Sequence, residues 1–176
     1  SEGEHTVAVE NLTISSPLVL QEQPTKILRT YVDEDDGRLG IRSKTVGAEE
    51  SWVEHAQARV ITAANAHWQQ TEHLVVPSHT PDFDGESHRA LTQQVGLDYG
   101  PCFTAISAGW QVDEQHIMTQ LQLPEGLNST ITDSVLHPAL VDSCFQSIIH
   151  LLRNHPLFGQ GVAFVPVQLE RAYARI

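Results

Sequence analysis

The chain has 176 residues, 40% of them hydrophobic and 18% charged, with 10 Lys and Arg against 22 Asp and Glu for a net charge of −12. This is the composition of a globular chain rather than a disordered acidic tail, and it suffices for one domain. The acidic excess runs through both halves and leaves no basic stripe to neutralise phosphates, so nucleic-acid binding is disfavoured. No apolar run approaches the roughly 20 residues of a membrane helix and no basic leader is visible, so no membrane association and a cytoplasmic setting are expected. Cys102 and Cys144 lie far apart and outside any C-x-x-C, which fits a reduced compartment and neither a disulfide framework nor structural zinc.

In chain order, Val7 and Val9 share one face of Thr6–Ile14, and Leu12 and Ile14 continue after a one-residue slip, which predicts a strand with a bulge. Two further strands, Thr25–Val32 and Arg38–Lys44, flank an acidic tip ending in Asp36-Gly37, a hairpin signal, and Trp52–Ala63 alternates as a fourth strand. Residues 1–76 are thus expected to form an antiparallel sheet. From 77 to 94 the composition turns polar, with no apolar periodicity before a short helix over Glu86–Val95, and reads as a linker. Residues 95–176 then form a second half, with a Gly100-Pro101 turn, strands over Thr104–Val112 and His116–Leu123, a helix over 138–152, and a last strand within Val162–Ile176.

The 138–152 helix carries the chemistry. Pro138 suits a first helical turn, and Asn154-His155-Pro156 stops the helix. Apolar residues surround nearly the whole axis, yet Asp142, Gln146, His150 and Arg153 fall at i, i+4, i+8 and i+11 and form one polar stripe. A buried carboxyl must be hydrogen-bonded, paired or protonated. Held protonated in an apolar pocket, Asp142 would serve as a general acid, with Gln146 orienting its carboxyl or a substrate hydroxyl.

Two segments then match together. Gly96-Leu97-Asp98-Tyr99-Gly100-Pro101-Cys102-Phe103 resembles the G-x-x-Y-G-P-x-F segment of polyketide synthase dehydratase domains, and Leu136 to Gln146 resembles their H-P-x-L-x-D-x-x-x-Q helix. Supporting matches run from Val9-Glu10-Asn11-Leu12 through Trp52 and His55 to Val165-Pro166-Val167, nearly the whole chain. The resemblance implies an α+β double hotdog, antiparallel sheets wrapped around central helices, removing water from a 3-hydroxyacyl thioester. No cofactor is implied; the substrate rides on the phosphopantetheine of an acyl carrier protein. Residues 1–76 would then be strands of the first hotdog and 95–176 the second. By motif, Asp142 is the acid, Gln146 its companion and Tyr99 a hydrogen-bond donor near the hydroxyl, while Gly100 and Pro101 fix the substrate-side loop and Phe103 packs.

The family's base lies in H-x-x-x-G-x-x-x-x-P. Position 9 after His5 and position 141 after His137 are both Val; His155 with Gly159 fits the first half, but position 164 is Phe. The expectation is therefore an excerpt of a longer domain, supplying the acid and lacking the base, and inactive alone. The other histidines, His88 among them, are read as surface or packing residues, with no H-E-x-x-H or comparable metal-ligand spacing. The implied partners are the carrier protein, near Arg153, Arg171 and Arg175, the neighbouring synthase domains, and a second copy in a homodimer. A double-bond isomerase, cyclase or branching domain keeps the same tunnel, and a non-catalytic relic that spaces neighbouring domains is the alternative from another class.

Overall fold

In the computed structural model, which describes residues 6–49, 51–62, 75–127 and 137–175, the elements run β1 (Thr6–Ile14), β2 (Lys26–Val32), β3 (Arg38–Thr45), β4 (Val53–Thr62), β5 (Phe83–Asp84), α1 (Gly85–Gln94), β6 (Ile106–Gln111), β7 (Ile117–Leu121), α2 (Pro138–Gln146) and β8 (Gln168–Arg175). They fall into two units, Ser1–Trp68 with Pro166–Ile176, and Gln69–Val165.

The first unit is one antiparallel sheet in the order β2-β3-β4-β1-β8. The slip read in β1 is a register shift between Glu10 and Thr13, with Asn11 at φ 52°. Asn tolerates that left-handed conformation better than most residues, which lets the strand bend there. In the β2–β3 hairpin the Asp33 N–H donates to the Arg38 carbonyl at 2.8 Å, and Gly37 stands at φ 72°. Any side chain at Gly37 would also collide with the Val60 carbonyl of β4.

The second unit pairs β5, β6 and β7 antiparallel. Asp84 opens α1 with a reciprocal cap: the Ser87 N–H donates to Asp84 Oδ1 at 2.8 Å, and the Asp84 N–H donates to Ser87 Oγ at 3.0 Å. His88, Thr92 and Val95 form the buried side of this segment. At α2, Pro138 occupies the first turn and His137 Nδ1 accepts the Ala139 N–H at 3.2 Å, so the His-Pro pair is a helix start.

The boundaries differ from the sequence expectation in three places. Residues 77–94 are not a plain linker but contain β5 and α1; their polarity misleads because the buried face of α1 is itself polar. The last strand does not stay with 95–176, because β8 pairs along β1 from Thr6↔Arg175 to Thr13↔Gln168 and satisfies that strand's second edge.

The helix expected over 138–152 ends at Gln146, and Ser147–His150 tightens into a 3₁₀ turn. Ser143 and Ser147 hydroxyls donate back to the Ala139 and Ser143 carbonyls at 2.8 and 3.2 Å, and the β-branched pair Ile148-Ile149 follows; both disfavour a regular helix. Nor is α2 apolar all round. Cys144 and Ile148 are exposed, whereas Ser143, Gln146, Ser147 and His150 point inward. Small serines let the helix approach the sheet closely, and Ser147 Oγ meets Thr119 Oγ1 of β7 at 3.1 Å.

Candidate active site

Asp142 sits one turn before Gln146 on α2, and the Gln146 side-chain N–H donates to Asp142 Oδ2 at 2.7 Å. The same nitrogen donates to the Phe103 carbonyl at 3.1 Å. Pro101 explains that carbonyl's position. Pro101–Phe103 is a 3₁₀ turn with proline in its first positions, closed by the Phe103 N–H to the Gly100 carbonyl at 2.9 Å and by Thr104 Oγ1 to the Pro101 carbonyl at 2.8 Å. Gly100, at φ −70°, adopts a conformation open to any residue, so the restraint belongs to Pro101. The Phe103 ring, expected to pack, remains 38% exposed.

Tyr99 approaches from the segment before that turn. Burial, and then the negative charge of Asp142, push its phenol above the ordinary tyrosine range, so it stays a neutral donor facing the carboxyl. Asp142 is half-buried rather than enclosed in apolar walls, and its hydrogen-bond partner is the Gln146 amide. A cavity of about 70 Å³, room for one or two waters, opens beside Gln146 and Tyr99, lined also by His88, Phe103 and Ile106 among others.

Gln146 also turns its carbonyl to α1. His88 Nε2 lies 3.2 Å from Gln146 Oε1, and His88 Nδ1 lies 2.9 Å from His150 Nε2. The His150 ring stacks on Phe83 at 3.5 Å between centroids. Phe83 also lies against Gly109 of β6, where any Cβ would collide with the ring. Desolvation lowers both imidazoles below the ordinary histidine range, His150 to about 3 with help from His88 and Arg153.

The structure thus joins Asp142, Gln146, Tyr99 and the Pro101 turn, and adds His88 and His150, which the sequence reading had assigned to packing or surface. One signal for His88 was available: His88, Thr92 and Val95 fall on one helix face, spaced i, i+4 and i+7. Arg153 donates to the His150 carbonyl at 3.2 Å and to Gln111 at 3.1 Å. Arg171 pairs with Glu10 at 2.7 Å, and the side chain of Arg175 lies outside the described residues. His155 takes no part in this network: its Nδ1 accepts the Leu157 N–H at 3.2 Å and its ring stands edge-on to Phe164.

An antiparallel sheet carrying an acid-bearing helix defines the second unit as a hotdog-type α+β domain. The family model described as polyketide synthase dehydratase N-terminal domain matches residues 70–175, and the chain belongs to that family. It is 26% identical over 182 residues to the spectinabilin polyketide synthase system protein NorA of Streptomyces orinoci, covering 96% of this chain and 9% of the relative. To polyketide synthase PksN of Bacillus subtilis it is 25% identical over 150 residues, 3% of that protein. Among solved structures, the dehydratase domain from the CurK module of curacin polyketide synthase aligns with a TM-score of 0.69 at 26% identity, over 97% of this chain and 59% of that domain. The dehydratase domain of RzxB from Pseudomonas fluorescens aligns with a TM-score of 0.71 at 21% identity, covering 99% and 62%. The fold is therefore the double hotdog of these domains, of which the chain spans about three fifths. Among the described residues, no helix is long and apolar enough to cross a membrane.

Proposed function

We propose that this chain supplies the acid side of a polyketide synthase dehydratase, which removes water from a 3-hydroxyacyl thioester on an acyl carrier protein to give the 2-enoyl thioester. The observation that carries the proposal is the Asp142–Gln146 contact on the helix that matches the family motif, with Gln146 lining the cavity. Gln146 occupies Oδ2, so Oδ1 is the oxygen that carries the proton to the departing β-hydroxyl. Tyr99, kept neutral by burial, donates a hydrogen bond to the same hydroxyl or to the carboxylate left behind. Pro101 fixes the Phe103 carbonyl and thereby one of the two Gln146 N–H directions.

A base removes the α-proton from the other side of the substrate; it comes from the part of the domain outside these motifs. General acid catalysis is worth ~100- to 10,000-fold, so neither half suffices alone. The carrier protein, the neighbouring synthase domains, a homodimeric assembly and a cytoplasmic setting belong to the same proposal. Its test is to give the intact protein a 3-hydroxyacyl carrier thioester and follow the acyl mass. Loss of one water, with recovery of the 2-enoyl product, supports dehydration. An unaltered hydroxyacyl chain, in a protein that still binds the carrier, excludes it.

A further inference from the structure

The Gln146 amide has only one workable orientation. The Phe103 carbonyl cannot donate, so the group 3.1 Å from it must be the amide nitrogen, and that same nitrogen then faces Asp142. Oε1 is left as an acceptor towards His88, so His88 Nε2 carries a hydrogen. A neutral His88 then has a bare Nδ1, and the group 2.9 Å from it is His150 Nε2, which must donate. His150 Nδ1 is consequently bare as well. It is the one buried side-chain nitrogen or oxygen among the described residues with no partner, which suits an empty lone pair far better than an orphaned N–H. The assignments follow from one carbonyl and a neutral His88, and every donor points towards the carboxyl.

We infer that His88 and His150 are positioning residues: they form a directed hydrogen-bond chain, His150 to His88 to Gln146 to Asp142, that locks the Gln146 amide with its N–H on the acid. Phe83, for which Gly109 leaves room, holds the outer end by stacking on the His150 ring. The consequence for the acid rests on the dehydratase proposal; the tautomers do not. The charged groups facing the pair are Arg153, which bonds the His150 carbonyl, Arg89 of α1 at the cavity, and Asp142 beyond Gln146; β5 presents the uncharged Phe83 ring. Protonating His88 would set N–H against N–H at His150, or move the His150 hydrogen to Nδ1, where it would be buried and unpartnered. The outer link, His150 to His88, therefore breaks in acid, at a pH below the ordinary histidine range, while the His88 bond to Gln146 persists.

The test begins with histidine-labelled nitrogen NMR of this chain at neutral pH. Both His88 and His150 should be neutral Nε2–H tautomers. An Nδ1–H tautomer on His88, or a cation at either position, overturns the inference without touching the dehydratase proposal. In the intact protein, His88→Leu and His150→Phe should lower kcat about tenfold with little change in KM, part of the ~100- to 10,000-fold effect of an acid. His88→Gln, which restores an N–H towards Gln146, should recover most of that loss, and the acid limb of the kcat profile should shift in His150→Phe. Unchanged kcat in both His88→Leu and His150→Phe overturns the positioning role. Should Asp142→Asn also leave turnover unchanged, the failure lies instead with the acid assignment.

Discussion

Each unit buries histidine, and the two do opposite things with it. In the first, His55 Nδ1 donates to the Ser16 carbonyl at 3.1 Å and Nε2 accepts from Ser43 Oγ at 2.7 Å, so both nitrogens end on local partners and nothing continues. In the second, His88 joins two groups that are themselves side chains, and the path runs on through the cavity-lining Gln146 to a half-buried carboxyl. A buried polar group that terminates on backbone is an anchor; one that passes its hydrogen bonds to a titratable carboxyl can hold chemistry in place. Burial alone does not separate them, since His55, His88 and His150 are all under 7% exposed.

The comparison breaks most visibly at Gln146. Gln146→Leu leaves Asp142, the Phe103 carbonyl and His88 without their shared partner, and denaturant unfolding should show a loss of about 2–4 kcal/mol. Gly109→Ala should follow at about 1–3 kcal/mol, because the new methyl must displace Phe83 from the His150 ring. An altered His150 NMR resonance would report the displacement. Ser43→Ala, in the unit without the chain, should cost about 1–2 kcal/mol through an unsatisfied His55 and leave the His88 and His150 tautomers unchanged.

The most gradual expected effect is on pH dependence. Both imidazoles of the second unit have lowered native pKa values, so below about 6.5 the unfolded chain takes up protons that the native state refuses. Stability is flat in this term above that pH and falls as pH drops towards about 3, where His150 itself protonates. The slope is at most about 1.4 kcal/mol per pH unit for each histidine. Replacing His150 by Phe should flatten the curve.

What was legible in the sequence follows physical range. The β1 bulge, the Asp33–Gly37 hairpin and the α1 start are set by neighbours in the chain, and local pattern reveals them. The Asp142–Gln146 pair is likewise local, one helical turn apart. His88 meets Gln146 across 58 residues and His150 across 62, and no local pattern encodes that pairing. The polar stripe did select His150, but for a continuous helix; the chain leaves the α-helix at Gln146, and the turn that follows is what brings His150 to His88. Hydrophobicity misled at 77–94 for the same reason, since the face that α1 buries is His88 and Thr92.

The central claim is that the Asp142 carboxyl gives its proton to the leaving hydroxyl. Asp142→Asn in the intact protein is its most direct test, since the new amide presents an oxygen to Gln146 and preserves the fold. The account predicts that water loss from a 3-hydroxyacyl carrier thioester slows by ~100- to 10,000-fold, with KM little changed; a rate within about twofold of the unaltered protein would contradict it.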